Sequence, residues 1–205
     1  LKLLNDIDLS NTDGFDPDAS RNVLIENCFA YCGDDNVAVK VTGKKGLGAD
    51  VDNVIVRGCV FLTKKSALKI GTETRSESMK NITFENNDII ESDRGMAVYV
   101  SDGAVLDSIA FLNNRFERNH PDAQKKAIHF EVDKRISDSK LGSIKHVLIK
   151  DCTFYKAFPN KSVIEYNGDT IGINVTIQNL TIDNNKVNSL ESARINAINA
   201  TVDFK

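Results

Sequence analysis

Asn81-Ile-Thr-Phe-Glu-Asn-Asn87 is the stretch that decides the fold, because its pattern returns along the chain at intervals of about 27 to 38 residues. The other copies are Asn22-Val-Leu-Ile-Glu-Asn-Cys28, Asn53-Val-Ile-Val-Arg-Gly-Cys59, Ser108-Ile-Ala-Phe-Leu-Asn-Asn114, His146-Val-Leu-Ile-Lys-Asp-Cys152 and Asn179-Leu-Thr-Ile-Asp-Asn-Asn185. Each reads as a short strand with apolar residues at alternate positions. Each closes on a residue that accepts a left-handed backbone: Asn27, Gly58, Asn86, Asn113, Asp151 or Asn184. In this register Cys28, Cys59, Asn87, Asn114, Cys152 and Asn185 form one ladder.

A second short strand follows in every period: Val37–Val41, Ala67–Ile70, Met96–Val100, Ala127–Val132, Val163–Tyr166 and Ile195–Ile198. No helical period separates the two, which disfavours crossover helices and with them a barrel or doubly wound sheet. Stacked coils remain. The expected fold is all-β, a right-handed parallel β-helix of about six to seven coils forming a single domain over residues 1–205. Leu1–Leu9 already reads as the interior of a structural unit, so upstream coils are expected to be missing; Asn199–Lys205 reads as one more strand.

The 205 residues are 41% hydrophobic, enough to fill a substantial core, and 26 basic side chains face 29 acidic ones. A net charge of −3 gives no footprint for nucleic acid or an anionic membrane, and no apolar run approaches a membrane span. Cys28, Cys32, Cys59 and Cys152 lack metal-binding spacing. Reduced, buried thiols are expected, with a Cys28–Cys59 bridge as the alternative.

Carboxylates concentrate beside glycines in Asn11-Thr-Asp-Gly-Phe-Asp16 and Gly33-Asp-Asp-Asn-Val-Ala-Val-Lys40. Asp13 and Asp34 stand about one coil apart, so neighbouring rungs bring them within roughly 5 Å along the stack. Three crowded carboxylates cannot all ionise freely; one keeps a proton while the others act as bases, the division that glycoside hydrolysis needs. The plain alternative is turn chemistry, since Asp beside Gly is a common turn element. If Val37, Val39 and Val41 point inward, Lys40 points outward, and the same register exposes Lys69, Tyr99, His129, Glu131 and Glu165 as a polar stripe.

Asn11-Thr-Asp-Gly-Phe-Asp16 followed by Gly33-Asp-Asp35 resembles the paired signatures of the polygalacturonase-type glycoside hydrolases. Gly71-Thr-Glu73 and Asp93-Arg-Gly95 also resemble segments of bacterial members, which adds Glu73 and Arg94 to the candidate substrate contacts. The likeness spans roughly residues 5 to 115. It implies an inverting hydrolase on a right-handed parallel β-helix, with Asp34 as general acid and Asp13 and Asp35 as the pair that activates water. No cofactor and no metal are expected.

The sequence departs from that family twice. Lys65 stands at the position of the family's histidine, and the Arg-x-Lys pair that grips a galacturonate carboxylate falls at Ala97 and Tyr99. The expected substrate is therefore a polysaccharide or oligosaccharide other than ordinary pectin, contacted by Lys40, Lys65, Lys69, Glu73, Arg94, Tyr99 and His129. The expected location is secreted or periplasmic. Two rivals stay open: a calcium-dependent polysaccharide lyase with Lys65 or Lys69 as base, and a non-catalytic glycan-binding solenoid.

Overall fold

The computed structural model describes residues 1–43, 48–119, 126–137 and 139–205. Among them every regular element is a strand, and the strands wind into about seven coils with three sheets along the stack. The pattern that repeats in the sequence builds a seven-stranded sheet: Arg21–Glu26, Val51–Arg57, Ser78–Glu85, Val105–Leu112, Ser143–Lys150, Ile173–Gln178 and Ala200–Phe204, all parallel. The second strand of each period builds a six-stranded sheet of Val37–Val41, Ser66–Thr74, Arg94–Val100, Lys126–Val132, Ser162–Tyr166 and Ile195–Ile198.

A third sheet was not legible in the repeat. It contains Lys2–Leu4, Phe29–Cys32, Val60–Thr63, Asp88–Ser92, Arg115–Asn119, Thr153–Phe154 and Thr181–Ile182, with Asn185–Lys186 antiparallel at its end. From Phe29–Cys32 to Thr181–Ile182 these strands begin two residues after the left-handed turn residue, so the apolar alternation on either side of the bend reads as one run.

Parallel stacking puts like residues in register and fills the core with aligned apolar rows. Val54, Ile82, Ile109, Val147 and Val175 form one row; Val56, Phe84, Phe111, Ile149 and Ile177 form another. Phe84 and Phe111 stack at 5.1 Å between centroids, and Phe116 and Phe154 at 4.2 Å. Each such ring is fully buried and contributes roughly 1.5–3 kcal/mol.

The turns behave as the sequence suggests, with φ between 50° and 61° at Asn27, Gly58, Asn86, Asn113 and Asp151. One copy is corrected. The sixth strand is Ile173–Gln178, its left-handed residue is Asn179, and the rung after it is the buried Leu180. Asn185 is exposed in the terminal hairpin and outside the ladder. All four cysteines carry free thiols, and Cys28 N–H donates to Cys59 Sγ at 3.4 Å rather than the two sulfurs bridging. No helix among the described residues is long and apolar enough to cross a membrane.

Candidate active site

The segment around Asp13 is held as an additional rung on the six-stranded sheet. Phe15 pairs with Val37 and Asp18 with Lys40 as parallel bridges, and Gly14 N–H donates to the Asp35 carbonyl at 2.9 Å. This ladder places Asp13 beside Asp35 on adjoining coils. It also explains the glycine next to Asp13, because a Cβ on Gly14 would lie 2.4 Å from the Asn36 carbonyl oxygen. Asn5 Nδ2 ties down the loop by donating to the carbonyls of Thr12 and Asp13 at 3.1 and 2.9 Å. Gly33 N–H donates to Thr12 Oγ1 at 3.1 Å, so the two acidic motifs are hydrogen-bonded to each other.

A cavity of about 400 Å³ opens on this face, lined by Asp13, Asp34, Asp35, Lys40, Lys69 and Glu73 together with Asn11, Ala38, Thr42, Gly71 and Thr72. The three aspartates sit in different electrostatic settings. Asp34 accepts the backbone N–H of Asn11 through Oδ2 and of Asp35 through Oδ1, both at 3.0 Å. Asp35 is buried, accepts Ser66 N–H at 2.8 Å through Oδ1, and meets the Lys69 ammonium at 2.5 Å through Oδ2. Among the described residues the cation that meets the Asp13 carboxylate is the Lys40 ammonium, at 3.5 Å. Burial, then the negative charges of Asp16, Asp34 and Asp35, push its carboxyl up to about 6 against the opposing pull of Lys40.

Lys40 lies between two carboxylates, 2.5 Å from Asp16 and 3.5 Å from Asp13. Burial works against its charge, yet the hydrogen bond and charge of Asp16 hold its pKa above the ordinary lysine value. Asp16 was within the quoted motif but not singled out; only the pairing of its segment with Val37–Val41 brings it to Lys40. Ser66, which feeds a backbone N–H to Asp35, carried no signal either. The remaining wall is fixed by Arg135, whose Nη1 lies 3.4 Å from Glu73 Oε1 and whose Nε and Nη2 grip Asp102 at 2.9 and 3.1 Å.

The expected polar stripe divides into two rows. Ala38, Lys69, Ala97, His129 and Val163 are in register, while Tyr99, Glu131 and Glu165 occupy the row two residues further on. Lys40 belongs with the second row, and Asp18 is its bridge partner. Of the candidate contacts, Lys40, Lys69 and Glu73 line the cavity and Lys65, Arg94, Tyr99 and His129 do not. Lys65 is exposed. Arg94 turns to Ser66 Oγ at 3.1 Å and to Asp93 at 3.5 Å. Tyr99 and His129 hydrogen-bond to each other at 2.8 Å. Among the described residues no group of three His, Cys, Asp or Glu side chains is arranged to hold a metal ion.

The family model described as glycosyl hydrolases family 28 matches residues 2–201. The polygalacturonase of Saccharomyces cerevisiae is 31% identical over 109 residues, which cover 51% of this chain and 27% of the yeast protein. A probable polygalacturonase of Vitis vinifera is 31% identical over 103 residues, covering 45% of this chain and 21% of the grapevine protein. A polygalacturonase of Ralstonia nicotianae is 51% identical over a shorter stretch of 35 residues, 17% of this chain and 7% of that protein. The chain therefore spans about a quarter of the length of the first two relatives.

Proposed function

The chain belongs to the glycosyl hydrolases of family 28, and from that premise we propose that its aspartate-lined cavity hydrolyses the glycosidic bonds of a polysaccharide or oligosaccharide with inversion at the anomeric carbon. The observation that carries this reading is the convergence of Asp13, Asp34 and Asp35 on one cavity, with Asp13 pushed up to about 6. In the proposed cycle Asp34 protonates the leaving oxygen, as the resemblance assigns it. Asp13 takes the proton of the attacking water, and its raised pKa makes it a stronger proton acceptor than an ordinary aspartate while leaving it ionised above pH 6. Asp35 is already engaged by Lys69, which favours Asp13 as the base and gives Asp35 the task of fixing that lysine.

The same contacts bear on the substrate. A uronate in the cavity would need a cation to meet its carboxylate. Lys40 is already paired with Asp16 and Asp13, and Lys69 with Asp35. Ala97 and Tyr99 stand where the family's cationic pair would fall. This supports a sugar without a carboxylate, held through hydroxyl and amide groups such as those of Asn11, Thr42 and Thr72. Hydrolases of this family are generally extracellular, which is the basis for proposing a secreted or periplasmic protein.

The test is reducing-end release from a panel of neutral polysaccharides with polygalacturonate alongside. Asp34→Asn should lose activity by about 10²- to 10⁴-fold with an unchanged circular dichroism spectrum. Proton NMR of the first product formed should show the inverted anomer. Undiminished turnover by Asp34→Asn, or a retained anomer, would remove the assignment.

A further inference from the structure

The row that runs across the sheet beside the cavity has a gap in it. Lys69, Ala97 and His129 are neighbours in register on three adjoining strands, and the alanine between the two longer side chains leaves a slot. The ring of Tyr99, from the next outward position on the same strand, bridges both sides of that slot. Its hydroxyl lies 2.8 Å from His129 Nδ1, its ring meets the imidazole edge-on at 5.0 Å and 89°, and the Lys69 ammonium stands 5.9 Å from its centroid. On the far side His129 Nε2 is 3.3 Å from Glu131 Oε2. The near end is Asp35, 2.5 Å from the same Lys69 nitrogen.

The partners determine the proton positions. Glu131 is an acceptor, and the hydrogen bond from His129 holds its carboxyl below the usual glutamate range. In the neutral imidazole the proton then sits on Nε2, facing Glu131, and Nδ1 accepts from the tyrosine hydroxyl. Burial pushes the Tyr99 phenol well above its ordinary value, so the hydroxyl stays protonated and remains a donor. The aromatic face keeps its attraction for an ammonium within about 6 Å. Arg94, on the same strand as Tyr99, and Lys126, on the same strand as His129, add positive charge around the phenol and around Glu131 respectively.

We infer that Glu131, His129 and Tyr99 form a positioning relay that seats the Lys69 ammonium against Asp35, so that these three residues serve the aspartate cavity without touching the sugar. This rests on the hydrolytic reading above only for its kinetic consequence; the seating of Lys69 is a property of the free protein. His129 is nearly buried and neither it nor Tyr99 lines the cavity, which separates the relay from a direct substrate contact. Cutting it frees Lys69 to leave Asp35, and a shift of that ammonium beside the reacting groups lowers the turnover rather than the affinity.

The experiment has a substrate-free arm and a kinetic arm. In the first, the lysine ammonium resonances of the ¹⁵N-labelled protein are recorded, with the Lys69 signal assigned by its loss in Lys69→Arg. An ion-paired, sheltered ammonium gives a resolved signal in the wild-type protein, and that signal should broaden or shift in Tyr99→Leu, in Tyr99→Phe and in His129→Ala. It should be unmoved in His146→Ala, which alters an exposed histidine on another sheet. In the second arm, reducing-end assays on the neutral polysaccharide that the wild type cleaves fastest should show kcat falling by up to about 100-fold with KM within twofold for the relay variants. A Lys69 signal unaffected by Tyr99→Leu overturns the relay. So does a raised KM at constant kcat, which would make Tyr99 and His129 sugar contacts. Loss in Tyr99→Leu with Tyr99→Phe unchanged would overturn the part given to His129 and Glu131. If the wild type cleaves no glycan while the Lys69 signal responds as expected, the relay stands and the hydrolytic reading fails.

Discussion

Asp13 is where one side chain's surroundings matter most. Its carboxyl sits at about 6 in the folded chain against 3.8 for the ordinary group, because burial and the carboxylates of Asp16, Asp34 and Asp35 oppose its charge. A raised carboxyl pKa means that the folded state binds the proton more tightly than the unfolded one. Its stabilising effect is complete below about pH 3.8 and is lost as the pH rises through 6. Asp13→Asn should therefore raise the melting temperature at pH 8, by roughly 2–4 °C for each kcal/mol of repulsion removed, and change it little at pH 4. Thermal melts at the two pH values check this. The kinetic counterpart is an acid limb in kcat/KM of the wild-type protein with a midpoint near 6, since the base is lost when Asp13 is protonated. A profile flat between pH 5 and 8 would contradict the role given to Asp13.

At the scale of the element, the ladder behind the left-handed turns shows why either cysteine or asparagine can stand at this position of the repeat. Cys59 Sγ reaches the Ile25 carbonyl at 3.8 Å, Asn87 Nδ2 the Val56 carbonyl at 3.0 Å, Asn114 Nδ2 the Phe84 carbonyl at 2.9 Å and Cys152 Sγ the Phe111 carbonyl at 3.4 Å. Thiol and amide do the same work, donating to a carbonyl in one row of the neighbouring coil. Asn114 does more, since its Oδ1 accepts from both the backbone and side-chain nitrogens of Asn87. Asn114→Ala takes the acceptor from the buried Asn87 backbone N–H, at about 1–3 kcal/mol, while Asn87 Nδ2 keeps the Val56 carbonyl. Chemical denaturation should show a large loss for Asn114→Ala and a smaller one for Asn114→Cys, which keeps a donor on the rung. Gly71 is the other sensitive position. Its φ is 89° and a Cβ there would stand 2.0 Å from the Tyr99 carbonyl oxygen. Gly71→Ala should lower both the melting temperature and the activity, because Thr72 and Glu73 enter the cavity directly after it.

At the scale of the molecule, the aligned rows of Val, Ile and Phe run continuously from one end of the described coils to the other. We expect residues 1–205 to unfold as one domain, with a calorimetric enthalpy equal to the van't Hoff value; separate transitions would mean that the coils melt in blocks. The solenoid and its parallel sheets were legible in the sequence because alternation, turn residue and spacing recur together, and each copy constrains the others. The sixth copy escaped because residues 179–185 imitate the pattern, whereas the pairing of Val147 with Val175 and of Ile149 with Ile177 fixes the register one strand earlier. The three aspartates and their closeness were likewise legible, since two short motifs one coil apart can be superposed without coordinates. Only the tertiary structure decided what each carboxylate meets: Asp16 on Lys40, Lys69 on Asp35, two backbone donors on Asp34, and Tyr99 turned to His129 away from the cavity. Sequence determines which residues share a face through local periodicity. Their charge state and contacts depend on side chains from coils some 30 residues away, and stacking alone brings those together.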